Sequence, residues 1–154
     1  MDEAANRRPD DLEYAGNVTV LDEQQCWDFL RSQELGRLAF RLVDEVHIVP
    51  VNYAVDGRTL LFRTAPGDKL LSVALGGQVA FETDRLDDDV AESVVVRGTA
   101  RLLEEDEAHR AELVALRPWV GTYKYNVVEI APESVSGRSF ELDRPWLHLS
   151  RPQA

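Results

Sequence analysis

From Arg37 to Leu102 apolar residues fall mainly at every second position, the spacing of strands that bury one face. Leu38, Phe40 and Leu42 alternate with Arg37, Ala39 and Arg41, and Asp44-Glu45 predicts a turn. In the next strand Val46, Ile48, Pro50 and Asn52 share one face, and His47, Val49, Val51 and Tyr53 the other. Asp56-Gly57 predicts a tight hairpin, because glycine takes positive φ at little cost. Leu60, Phe62 and Thr64 then share a face, opposite Leu61 and Arg63. Val79, Phe81 and Thr83 repeat the pattern. So do Val94, Val96, Gly98, Ala100 and Leu102 in a longer strand, where Gly98 marks a bend or a close approach. Val127–Ala131 and Val135–Leu142 read as two closing strands.

Three stretches have helical spacing instead. After Leu21, Asp22 is the expected N-cap with Gln25 as its capping-box partner. Cys26, Phe29 and Leu30 form the apolar stripe beside Trp27, and Gly36 suits the position after the helix end. Lys69–Leu75 predicts a short helix stopping at Gly76-Gly77. Glu104–Leu116 predicts another, with acids in its first turn and Arg117-Pro118 beyond its end. Six or seven strands without regular βαβ alternation give a mainly β fold, mostly antiparallel: a barrel or sandwich with short helices.

Composition narrows the possible partners. With 28 acidic and 17 basic residues the formal charge is −11, which disfavours nucleic acid and anionic membrane surfaces. One cysteine, Cys26, excludes a disulfide within the chain, and its place on the helix stripe reads as a small buried hydrophobe. No apolar run approaches the roughly 18 residues of a membrane span, and the N-terminus is not signal-like, so a soluble, cytoplasmic protein is expected. Residues 1–17 read as a mobile polar tail, 18–142 as one domain and 143–154 as an irregular C-terminal tail.

The candidate chemistry lies after the hairpin. The chain leaves a strand at Thr64, turns through Ala65-Pro66-Gly67 and enters the helix of Lys69. A hydroxyl, an ammonium and the free N–H groups of a helix start suit a phosphate monoester, with Arg63 nearby. On spacing alone a surface lysine and a strand-end threonine fit equally well. His47, His109 and His148 are too scattered for a metal site, and His47 reads as a partly exposed structural residue. Neither a Gly-x-Ser-x-Gly elbow nor a nucleotide-binding glycine motif occurs.

The stretch VPVNYAVDGRTLLFRTAPGDKL resembles the core of the pyridoxamine 5'-phosphate oxidase-like superfamily, the FMN-binding split barrels, and within it the branch related to nitroimidazole-resistance proteins. CWDFLRSQELGRLAF is similar to the family's first helix and strand, VVVRGTARLL to its long strand, and PWVGTYKYNVVEIAPESVSGR to its closing segment. The resemblance spans about residues 18–140 and implies a split β-barrel that forms a homodimer with FMN at the subunit interface. It also implies a phosphate held by Thr64 and Lys69 with Arg63 as a secondary contact, a flavin edge against Pro50, Val51 and Asn52, and Trp119 near the ring. The implied activity is an FMN-dependent oxidoreductase acting on a small acceptor such as a nitroaromatic or a quinone, without an identifiable catalytic acid or base. The alternatives are a flavin-binding module without turnover and an F420-dependent reductase; haem is a more distant choice. The C-terminus, DRPWLHLSRPQA, lacks the arginine motif with which true pyridoxamine-phosphate oxidases hold their substrate, so vitamin B6 oxidation is not expected.

Overall fold

The computed structural model describes residues 17–65, 75–114, 116 and 126–143. The expected tail over residues 1–17 therefore lies, except for Asn17, outside the described residues, as does all but Asp143 of the tail over 143–154. In chain order the elements are β1 (Val18–Leu21), α1 (Glu23–Ser32), β2 (Leu35–Leu42), β3 (Glu45–Asp56), β4 (Thr59–Thr64), β5 (Gln78–Leu86), β6 (Val90–Leu102), a single-turn α2 (Arg110–Leu113) and β7 (Asn126–Glu141). Every strand pairing is antiparallel. The sheet runs β7-β4-β3-β2-β5-β6 and closes on itself through β6 and β7, with β1 added along the far half of β7. Closure leaves few strand edges open to association.

The period-two faces fall as the sequence predicts. Leu38, Phe40, Tyr53, Leu60, Phe62, Val79, Phe81, Val94 and Val96 fill the barrel, and α1 adds Trp27, Phe29 and Leu30. The helix is locked to the sheet by polar contacts as well. The Tyr53 hydroxyl donates to the Leu30 carbonyl at 2.6 Å, and the Tyr53 ring meets Phe81 edge-on at 4.7 Å. Burial pushes the Tyr53 hydroxyl's pKa well above its ordinary value, so it remains a donor at any working pH. A smaller core of Leu61, Leu103, Ala111, Leu116 and Val127 lies on the outer side of β4, beneath α2.

The capping box at the start of α1 is present: the Gln25 N–H donates to Asp22 Oδ1 at 2.8 Å and the Asp22 N–H to Gln25 Oε1 at 2.9 Å. Asp22→Ala should cost about 1 kcal/mol of stability. A urea titration checks this, with the midpoint falling at an unchanged slope.

Several expectations are corrected. Gly36 does not end the helix; Gln33 does, in extended conformation, and Gly36 lies within β2, where a Cβ would come 2.1 Å from Phe81 Cζ. Its role is close packing against the Phe81 ring. Both hairpin turns sit one residue away from the expected place, at Val43-Asp44 and at Gly57-Arg58. Gly57 has φ +59° there, and Val43 takes φ +55° at the equivalent place in its own turn. The helix expected over Glu104–Leu116 shrinks to α2, preceded by hydrogen-bonded turns from Glu104. Of the helix expected over Lys69–Leu75 the described residues hold only Leu75.

The two closing strands are one. β7 runs through Pro132 because the ladder with β6 shifts there: Arg97 pairs with Ser134 but Gly98 with Pro132, leaving Glu133 as the extra residue of a bulge. A bulge tolerates a proline that an unbroken ladder would not. Gly98 permits the close approach, since a Cβ on it would stand 2.0 Å from the Ala131 carbonyl oxygen. Finally, β1 has only four residues; the strand is held by pairing to residues more than a hundred positions away.

Candidate functional site

The ladders around β3 and β4 stop at different places. β3 has β2 beside it from Glu45 to Asn52, but β4 only from Tyr53 to Asp56. β4 in turn stays with β7 as far as Thr64, opposite Asn126. The two strands therefore part beyond the Tyr53–Phe62 pair. Pro50, Val51 and Asn52 lie on one lip of the opening, and Arg63 and Thr64 on the other. Where strands part, backbone donors and acceptors and the side chains of both lips become available to a ligand.

Pro50, Val51, Asn52, Arg63 and Thr64 can be placed around this opening. Pro50 is exposed on the outer face of β3, Asn52 is half-buried on that face, and Val51 points inward and packs on the barrel core. Thr64 is 8% exposed, and its hydroxyl makes a long 3.5 Å contact to the Ala65 carbonyl. That contact is too long to engage the hydroxyl strongly. Arg63 faces the opposite side of β4, as strand alternation requires, and its Nε donates to the Leu116 carbonyl at 3.0 Å. The structure thus gives Arg63 a role in holding the segment before residue 117 against the barrel. Lys69 and Trp119 lie outside the described residues. Among the described residues there is no cluster of metal-ligating side chains. His47 stacks on Phe40, with centroids 5.5 Å apart, and its Nε2 is 3.2 Å from Glu45 Oε2.

Two charge clusters are assembled only by the fold. The first borders the opening. Arg37 pairs in register with Pro50 on one side and Glu82 on the other, so the three form a row across the outer face. Arg37 Nη1 reaches Glu82 Oε2 at 3.3 Å and Asp84 Oδ1 at 3.2 Å. Partial burial, together with the neighbouring Asp84 carboxylate, pushes Glu82 up to about 7 in spite of Arg37. The clue in the sequence is that Glu82 and Asp84 alternate with the buried Phe81 and Thr83.

A carboxyl with a raised pKa in the fold holds a proton that the unfolded chain gives up near its ordinary value, so the fold loses stability as pH rises between about 4.5 and 7. Glu82→Gln should abolish that part of the pH dependence and raise the melting temperature at pH 8 by on the order of one or two degrees. Melting curves from pH 5 to 8.5 for both proteins test this; parallel profiles would contradict the assignment to Glu82.

The second cluster clamps α2. Glu129, nearly buried, takes Arg101 Nε at 2.9 Å on one oxygen and Arg110 Nη1 at 2.5 Å on the other. Arg110 also reaches Asp56 at 2.6 Å, and Arg101 forms a bidentate pair with Glu107. The hydrogen bond from Arg101 holds Glu107 below the usual carboxylate range. No single stretch of sequence announces this network, because its members come from β3, β6, β7, α2 and the turns before α2.

Residues 22–139 match the family model described as pyridoxamine 5'-phosphate oxidase, and the chain belongs to that family. Its mainly antiparallel sheet with few short helices is the family's split β-barrel. The FAD binding protein from Mycobacterium smegmatis is 40% identical, with a TM-score of 0.74 over 81% of this chain and 100% of its own. An uncharacterized Mycobacterium tuberculosis protein, Rv3129, is 46% identical over 89 residues, which is 56% of this chain and 79% of that protein. A Bacteroides thetaiotaomicron protein named for 5-nitroimidazole antibiotic resistance shares the fold at 14% identity and a TM-score of 0.67, over 82% of this chain and 91% of its own.

Proposed function

We propose that this protein binds a flavin nucleotide at the opening between β3 and β4 and acts as a flavin-dependent oxidoreductase on a small organic acceptor, of nitroaromatic or quinone type. The observation that carries the reading is the parting of β3 from β4 with Thr64 at its edge, in a chain 40% identical to a flavin-binding protein along that protein's whole length. When bound, the flavin supplies the electron transfer. The chain's own contribution is binding and orientation. Thr64 would donate its hydroxyl to the terminal phosphate and Lys69 would supply the positive charge, while backbone groups of Pro50, Val51 and Asn52 would meet the ring edge, with Trp119 near the ring. Arg63, tied to Leu116, acts mainly by holding the neighbouring segment.

FMN is the cofactor proposed, because a single monoester is what a hydroxyl and an ammonium can satisfy. FAD is the second reading, and the description of the Mycobacterium smegmatis relative favours it. F420 and haem remain comparison ligands. The working unit is proposed to be a cytoplasmic homodimer with the flavin between subunits. Val46 and Ile48, 77% and 69% exposed on the outer face of β3 beside Pro50, are the apolar surface that a second copy would cover.

Enzyme and simple binder separate in one experiment. Protein loaded with FMN is mixed anaerobically with NADH or NADPH, and then with a nitroaromatic or a quinone. Bleaching of the flavin band followed by its return on adding the acceptor is the expected result. A band that neither nicotinamide bleaches leaves a binding module.

A further inference from the structure

Arg58 precedes the first residue of β4 and Thr64 is its last, so the two lie about 20 Å apart along the strand. At the Arg58 end is a cavity of about 350 Å³, within the usual range for small-molecule sites. It is lined by Glu23 and Trp27 of α1, by Arg58 and by residues 132–135 of β7. Nothing in the flavin reading uses it.

Three observations set it apart from an accidental hollow. Trp27 is 2% exposed, yet its buried indole N–H has no acceptor among the described residues. An indole nitrogen can only donate, so this is a donor left unsatisfied. Secondly, the wall formed by residues 132–135 contains the β7 bulge, and Glu133, the extra residue, lines the cavity. Bulges recur where a strand re-aims a side chain at a site. Thirdly, the guanidinium of Arg58 lies over the Trp27 ring at 5.5 Å, while its Nη1 donates to Glu23 at 3.2 Å.

We propose that this cavity binds a small, flat, neutral molecule carrying a carbonyl or amide oxygen, which accepts a hydrogen bond from the Trp27 indole. The class follows from what the lining already satisfies. Both carboxylates have donors within the protein: Glu23 takes Arg58, and Glu133 takes Gln78 Nε2 at 3.1 and 3.3 Å. The unmet polarity is therefore that of a donor, and the ligand must bring an acceptor. Two carboxylates against one guanidinium leave the lining net negative in a chain of charge −11, which disfavours an anion. The indole, Pro132 and Val135 offer flat apolar contact. The indole N–H is sealed from water in the present arrangement, so a ligand reaches it only when a lining side chain shifts; Arg58, over the indole ring, 55% exposed and held by a surface ion pair, can shift at little cost.

The test uses the full-length protein labelled with ¹⁵N and follows the Trp27 indole N–H resonance, with those of Trp119 and Trp146 as internal controls. Benzamide, benzoate and benzylammonium have one body and three charge states. Benzamide should move the Trp27 resonance downfield along a saturable curve, with benzoate and benzylammonium at least tenfold weaker. Trp27→Phe keeps the aromatic wall but removes the N–H, and should weaken benzamide at least fivefold as judged from neighbouring amides. A Trp27 resonance that benzamide leaves in place overturns the proposal, as does charged ligand binding as well as neutral. The wild-type titration alone decides the matter if the variant fails to fold.

Discussion

Gly98→Ala should be the most damaging conservative change in the barrel. The added methyl would sit 2.0 Å from the Ala131 carbonyl oxygen and 3.0 Å from Pro132 Cα, both backbone atoms of the bulged strand. Backbone on that side is held by the β6–β7 ladder, which runs from Val90 to Leu102, so it cannot yield cheaply. A loss on the order of 3 kcal/mol or more is expected, measured as a fall in the urea midpoint. Thr99→Ala, one residue along the same strand, serves as the comparison and should cost far less. Equal losses would mean that the bulge is not held by close packing at Gly98.

Lys69→Ala should weaken FMN binding by about ten- to a hundredfold. A phosphate monoester carries nearly two negative charges, and the protein around it is acidic overall. A charged hydrogen bond contributes roughly 1.5–3 kcal/mol. Removing the ammonium beside Asp68 in the sequence takes away that compensation. Riboflavin, without the phosphate, should bind both proteins about equally. Dissociation constants for the two ligands, from quenching of flavin fluorescence, give the answer. If riboflavin weakens as much as FMN, or if FMN does not weaken, Lys69 does not act on the phosphate.

What the sequence made legible was whatever depends on local period. The inward faces of β2, β3, β5 and β6 followed from alternation, because burial on one side of a pleated strand imposes it. The α1 cap followed from Asp22 and Gln25, three residues apart. Illegible were the features set by partners distant in the chain. β1 is four residues long and exists because residues 137–140 pair with it. Residues 132–134 fall between two expected strands, and only the bulge opposite Gly98 lets β7 run through them.

The same division holds at the site. Thr64, Arg63 and residues 50–52 could be singled out from a short stretch, but their placement on two parting lips depends on registers with β2 and β7. Alternation puts Glu82 and Asp84 on one face of β5, but their partner Arg37 lies 45 and 47 residues away on β2, so the cluster itself has no local signal.

If the opening between β3 and β4 binds a flavin through its phosphate end, as proposed, ligand binding should follow the phosphate-side residues. Titrating the wild-type protein with FMN, and in parallel with FAD, F420 and haem, tests it most directly, by absorption and fluorescence. FMN should saturate at one per chain, with its fluorescence quenched, and Thr64→Val should weaken it. Contradiction would be a protein that binds no flavin, or one whose flavin affinity is unchanged by Thr64→Val and Lys69→Ala together.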